Sequence, residues 1–268
     1  MRGPTRVALG LEYDGTAFAG WQSQRAAPAV QTLVEAALSP VAAHPVSLIC
    51  AGRTDAGVHA CAQVAHFDTQ ARRSARGWVL GANTSLPPDI CVAWARPVPQ
   101  HFHARYSAEA RTYRYYVFNR PVRSALAARG AAWVRHPLDH ERMQSATAAL
   151  LGSHDFSAFR SAESQSHSPI RRVEALSVTR HGDFVIIEVT GNAFLHHMVR
   201  NIAGLLITIG QGDQAPLWAR QVLRSKERSA GGPTAPAQGL YLWSVRYSRA
   251  FGLPAARSAM ISALLQGD

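Results

Sequence analysis

VEALSVTRHGDFVIIEVT, residues 173–190, is the stretch on which the fold turns. Two β-prone runs, Val173–Thr179 and Phe184–Thr190, flank His181-Gly182-Asp183, and a glycine between such runs predicts a tight hairpin. Antiparallel pairing is therefore expected here. Upstream, Thr112–Asn119 is aromatic and β-prone. Leu138–Leu151 predicts a helix, begun after Pro137 with Asp139 and Glu141 in its first turn and stopped by Gly152. The serine-rich stretch 161–168 reads as a loop. Downstream, Phe194–Ile209 and Pro216–Arg224 predict helices, Ser229–Ala237 a loop and Leu240–Tyr247 a last strand.

The first hundred residues mix elements in the same way. Arg6–Tyr13, Val46–Cys50, Cys61–Phe67 and Ile90–Val98 read as strands, and Gly77–Thr84 as a helix. Ala29–Ala43 carries Val30, Leu33, Val34, Ala37 and Leu38 at helical spacing. Strands and helices alternate without a regular βαβ rhythm, which favours an α+β class. The expected architecture is two lobes built on mainly antiparallel mixed sheet with helices packed on it, and an active-site cleft between them. The boundaries fall at 1–103, 104–247 and a loosely attached tail, 248–268. No repeat of about 20–50 residues recurs, which excludes a solenoid or propeller.

Composition narrows the class further. Of 268 residues, 47% are hydrophobic, enough to offset the entropy of ordering the chain. The longest apolar stretch, Ile202 to Ile209, falls short of the ~20 residues of a membrane span. Arg2 and Arg6 are followed by no apolar run, so no secretory signal is expected. Cys50, Cys61 and Cys91, an odd number in scattered settings, read as small hydrophobes in a reducing cytoplasm rather than as a disulfide framework. The formal charge is +11, and Lys226 is the only lysine among 28 basic residues. Eight basic and six acidic residues precede residue 104, and twenty and eleven follow it, so the excess sits in the second part. Such a field attracts polyanions, and arginine's fork suits phosphate. Arginine-rich codon usage with a merely solubilising charge is the plainer alternative.

Four stretches rise above this scaffold. Ala51-Gly52-Arg53-Thr54-Asp55-Ala56-Gly57-Val58-His59-Ala60 lies between two predicted strands, with two glycines bracketing an acid. That arrangement aims Asp55 out of the sheet edge, where Arg53 and His59 should hold it ionised as a nucleophile or base. An Asx-turn without chemistry is the alternative. In Phe102-His103-Ala104-Arg105-Tyr106 and Arg111–Phe118, arginines interleave with aromatics, and Glu109 is the one acid between residues 102 and 118. Strand alternation puts Tyr113 and Tyr115 on one face and Arg114 and Tyr116 on the other. That is a surface for single-stranded RNA, or an ordinary half-buried strand.

Asn192–Asn201 opens the predicted helix at 194. His196 and His197 would there point about 100° apart, which argues against a shared metal. Arg200 on the core side of this helix needs an anionic partner, Asp55 or a structural carboxylate. Glu12-Tyr13-Asp14-Gly15 through Gly20-Trp21-Gln22 is a strand end and turn that packing alone could explain.

Taken in order, these residues resemble the TruA-type tRNA pseudouridine synthases. The resemblance uses Glu12–Gly15, Gly20–Gln22, Gly52–Ala60, Phe102–Tyr106, Tyr113-Arg114-Tyr115, Asp155-Phe156, His197–Asn201 and Gly239–Leu242, spanning about residues 6–247. It implies an isomerase that converts uridine to pseudouridine at positions 38, 39 and 40 of the tRNA anticodon arm. Asp55 matches the family's catalytic aspartate, with Arg200 as its partner and Tyr113 against the uracil. Arg53, Arg73, Phe102, His103, Ala104, Arg105 and Tyr106 are expected to line the RNA groove. The family reading also implies a cytoplasmic homodimer that binds tRNA and uses no cofactor, no metal and no membrane. The reaction breaks an N-glycosidic bond and rejoins the uracil through carbon, a change with no net redox that a carboxylate can assist.

Overall fold

The computed structural model describes residues 3–24, 27–161 and 167–254. In chain order the elements are β1 (Thr5–Tyr13), α1 (Val30–Ala42), β2 (Ile49–Cys50), β3 (His59–Thr69), α2 (Ala75–Asn83), β4 (Ile90–Val98), β5 (Ala108–Asn119), β6 (Ala132–Val134), α3 (His140–Thr147), β7 (Gly152–Asp155), β8 (Ile170–His181), β9 (Phe184–Gly191), α4 (Met198–Gly210), α5 (Trp218–Ser225) and β10 (Leu240–Tyr247). Mixed, mostly antiparallel strands with helices packed on them make the α+β class expected from the sequence. Contacts divide the chain into Met1–Glu109 with the stretch from Leu242, and Ala110–Tyr241. None of the described helices is long and apolar enough to cross a membrane.

In the first unit the strand order is β4-β1-β3-β10, with β2 pairing β3. β1 is antiparallel to both β3 and β4. Having neighbours on both sides, it is buried from Val7 to Leu11. α1 packs on α2 and α2 on β4. A separate cluster gathers Ala8, Val64, Phe102 and Ala104 under Trp94, Tyr247 and Phe251. Phe251 meets Phe102 edge-on at 5.1 Å. The tail expected to hang loosely from Ser248 is thus docked at Phe251 and Leu253, because its apolar residues complete this cluster. Residues 255–268 lie outside the described residues.

In the second unit the order is β5-β9-β8-β7, with β6 parallel to the end of β5. The hairpin forms where the sequence puts it. His181 pairs Phe184, and Gly182 takes a left-handed φ of 54° between them. α3 packs on β8 and on α4, whose residues Ile202, Ala203, Leu205, Leu206 and Ile209 have no accessible surface. Asp139 caps α3 by accepting from the Glu141 and Arg142 amides.

Several boundaries are corrected. α4 starts at Met198 rather than Phe194, because His197 sits at φ 63° and a left-handed residue cannot continue a helix. α3 gives way to a short 3₁₀ turn at Ala148–Leu150, and Gly152 opens β7 instead of only ending a helix. β6 and β7 are three and four residues long, too short to show periodicity. Most of the 161–168 loop lies outside the described residues. All three cysteines are free thiols; burial pushes the Cys50 thiol up to about 12.

Candidate active site

Asp55 sits on the connection between β2 and β3. Its carbonyl accepts from the Val58 amide at 3.1 Å, closing a turn around Ala56 and Gly57. Asp55 is half-buried, Arg53 exposed and Thr54 buried. The β1–α1 connection grips this loop from one side. Trp21 N–H donates to Thr54 O at 3.0 Å, and Gly57 N–H to Phe18 O at 3.2 Å. Gly20 has φ 93°, and a Cβ there would lie 2.5 Å from Thr54 O and 2.9 Å from the Asp55 carbonyl carbon. At Gly15 a Cβ would lie 2.0 Å from Val58 O. Only glycine permits both approaches. The Asp14-Gly15 and Gly20-Trp21 motifs therefore serve the loop that carries Asp55.

His59, expected to flank Asp55, is 3% exposed and engages the β1 turn. Its Nδ1 accepts from the Gly15 amide at 3.1 Å and lies 3.1 Å from Asp14 Oδ1. Beneath the loop, Tyr13, Thr54 and Gln63 are buried and joined by hydrogen bonds. Sequence reasoning missed Gln63 altogether. Its only signal is a polar residue inside an apolar strand.

The Phe102–Tyr106 segment divides by exposure. Phe102 and Ala104 have no accessible surface, so both are packing residues of the turn. Tyr106 is 77% exposed, stacks on His103 at 4.3 Å and lies under the Arg105 guanidinium at 5.6 Å. The turn is held from within. His66 Nδ1 accepts from the Ala104 amide, and His103 Nδ1 from the Arg105 and Tyr106 amides. Both imidazoles must be unprotonated at Nδ1 to do this. Burial, with Arg6 nearby, lowers the His66 pKa to about 4, and His103 is lowered in the same way. Arg73 is exposed beside the N-terminus of α2, and its Nε donates to Val41 O.

In the second unit, Tyr113 is 8% exposed and meets Phe194 edge-on at 5.1 Å. Of the two readings left open for β5, the aromatics follow the packed-strand one. Tyr115 and Tyr116 have no accessible surface. The Tyr115 hydroxyl donates to Pro236 O, and Tyr116 packs edge-on against Tyr241. Arg114 pairs with Glu188, its cross-strand neighbour, and Arg111 donates to Asn192 O. The arginines thus find polar partners on neighbouring segments, while the tyrosines fill the core.

Arg200 occupies the first turn of α4 and is half-buried. Its Nε donates to Ala235 O at 2.8 Å, and its carbonyl accepts from the Ala235 amide at 3.1 Å. Asn201 fixes the same stretch by accepting from Arg228 and Thr234. His196 and His197 precede the helix with ring centroids 4.1 Å apart, so the helical-spacing argument against a shared metal does not apply to them.

The chain matches a known protein family and several named proteins. A family model described as tRNA pseudouridine synthase matches residues 11–107 and 146–248. A protein of Methylococcus capsulatus named tRNA pseudouridine synthase A is 56% identical over 97% of this chain and 95% of its own. Proteins of the same name from Coxiella burnetii and Legionella pneumophila are 55% and 52% identical, over 93% and 92% of this chain and 95% of their own. The matched segments take in the glycine-clamped Asp55 loop and the start of α4, and identity runs across nearly the whole length, so the chain belongs to the tRNA pseudouridine synthase family.

Proposed function

We propose that this protein is the isomerase that converts uridine to pseudouridine at positions 38, 39 and 40 in the anticodon arm of tRNA, with Asp55 as the catalytic carboxylate. The observation that carries the reading is the loop itself. Two glycines of the β1–α1 connection are pressed against its backbone, so that a half-buried acid is held on a rigid turn.

The chemistry follows from what must be moved. The bond between N1 and C1′ breaks, the uracil turns, and C5 bonds to C1′. C5 then loses its proton and N1 gains one. Asp55 assists by adding to the sugar or the base, or by stabilising positive charge at C1′. Tyr113, braced by Phe194, offers a plane to the flipped uracil. We assign Arg200 as the partner of Asp55. Arg200→Met with normal turnover would contradict that pairing. Exposed Arg53, Arg73, Arg105 and Tyr106, with His103, supply phosphate forks and a stacking plane for RNA. Phe102 and Ala104 hold the turn that presents them.

The assembly read from the family is a homodimer in the cytoplasm, where unpaired thiols persist. Light scattering giving a monomer that keeps full activity would contradict the dimer. The reaction calls for neither metal nor redox cofactor, so turnover should be unchanged in excess chelator. The deciding experiment is incubation with a tRNA transcript followed by nuclease digestion and mapping. Pseudouridine at 38–40 with unchanged RNA mass supports the reading. A cleaved product would make the protein a hydrolase, and bound but unaltered RNA a binding protein.

A further inference from the structure

We infer that Tyr13, Thr54 and Gln63 form a hydrogen-bonded brace whose task is to position Asp55. They are positioning residues that do not touch the substrate. The inference rests on the reading of Asp55 as the catalytic carboxylate. Gln63, in β3, donates from Nε2 to Gly52 O at 2.7 Å, and the same nitrogen lies 3.4 Å from the Tyr13 hydroxyl. That hydroxyl, at the end of β1, lies 2.8 Å from Thr54 Oγ1. The brace thus reaches the loop on both sides of Arg53, and its far end is the residue immediately before Asp55. Gln63 has no accessible surface, Tyr13 5% and Thr54 7%.

Packing alone does not account for these side chains. Apolar residues of similar volume would fill the space between two strands without burying polar atoms. Gln63 Oε1, moreover, is buried with no hydrogen-bond partner among the described residues. An unsatisfied buried acceptor is destabilising and calls for an explanation. The explanation here is direction: turning the amide to satisfy Oε1 would take Nε2 away from Gly52. The amide is turned so that its nitrogen holds the loop. A displacement of about 1 Å at a reacting group can slow a reaction about a hundredfold. A fixed Thr54 is what keeps the Asp55 carboxylate from such a shift.

The test compares Tyr13→Phe, Thr54→Val, Thr54→Ser and Asp55→Asn in the full-length protein, with turnover, tRNA affinity and thermal midpoint measured on each. Tyr13→Phe and Thr54→Val should lower kcat about tenfold to a hundredfold, with tRNA Kd changed by less than about twofold. Thr54→Ser, which keeps the hydroxyl, should be close to wild type. The Tyr13→Phe/Thr54→Val double variant should be no slower than the worse single one, as for residues acting as a unit. If Thr54→Val fails to fold, Tyr13→Phe, which removes one oxygen, decides alone. Full kcat in Tyr13→Phe while Asp55→Asn is dead overturns the brace and leaves Asp55 in place. Turnover by Asp55→Asn overturns the reading beneath it.

Discussion

Gly20 lies so close to Thr54 that the two backbones exclude any side chain between them: a Cβ on Gly20 would stand 2.5 Å from Thr54 O, at a φ of 93° that L-residues rarely adopt. Gly20→Ala must therefore push the Asp55 loop aside. The expected result is a loss of about 1–3 kcal/mol of stability together with a drop in kcat, read from thermal melts and turnover on tRNA. A variant with wild-type melting and rate would show that the loop tolerates displacement.

Acid should weaken the first unit through His66. Its folded pKa, about 4, is depressed below the ordinary value of 6.5. Between those limits the unfolded chain binds a proton that the folded chain does not, so stability falls as pH drops from about 6.5 to 4. The slope approaches ~1.4 kcal/mol per pH unit. His103, also lowered, adds in the same direction. His66→Asn places an oxygen near Nδ1, keeps an acceptor for the Ala104 amide and removes the titration. Melting midpoints followed from pH 7 to 4.5 should fall less steeply in that variant, and identical curves would dismiss His66.

The fold was largely legible because its signals are local. Glycine in the hairpin at 182 and periodicity in α1 placed those elements within a few residues. The start of α4 was not, since a left-handed His197 has no sequence signature and Phe194 and Leu195 extend the apolar pattern upstream. Asp55 could be read from its bracketing glycines. The β1–α1 turn could not be tied to it, because contact between residues about 35 apart in sequence leaves no local pattern. Arginines and tyrosines on β5 left two readings open for a related reason: cross-strand partners such as Glu188 decide whether an interleaved strand faces solvent.

Salt should separate phosphate contacts from other binding. Each contact contributes about 0.7–0.9 to the slope of log affinity against log salt. Arg53→Gln and Arg105→Gln, both at exposed positions, should each flatten that slope by roughly this amount. Fluorescence anisotropy on labelled tRNA over a salt series gives the answer, and unchanged slopes would move the RNA path elsewhere.

Tyr113 can be divided into ring and hydroxyl. Tyr113→Phe keeps the plane that packs on Phe194, and a slowed rate in that variant would assign the hydroxyl a part in moving a proton. Tyr113→Ala should lose turnover in either case. Single-turnover rates on a transcript distinguish the two, and full activity in Tyr113→Ala would place the residue outside the site.

Asp55→Asn is the most direct measurement of the whole account. Asparagine keeps the size and turn-forming capacity of the residue while removing its charge. Purified Asp55→Asn protein, incubated with a tRNA transcript that is then digested and mapped, should bind the tRNA with wild-type affinity and yield no pseudouridine at positions 38–40. Measurable pseudouridine from that protein would contradict the assignment of Asp55 as the catalytic group.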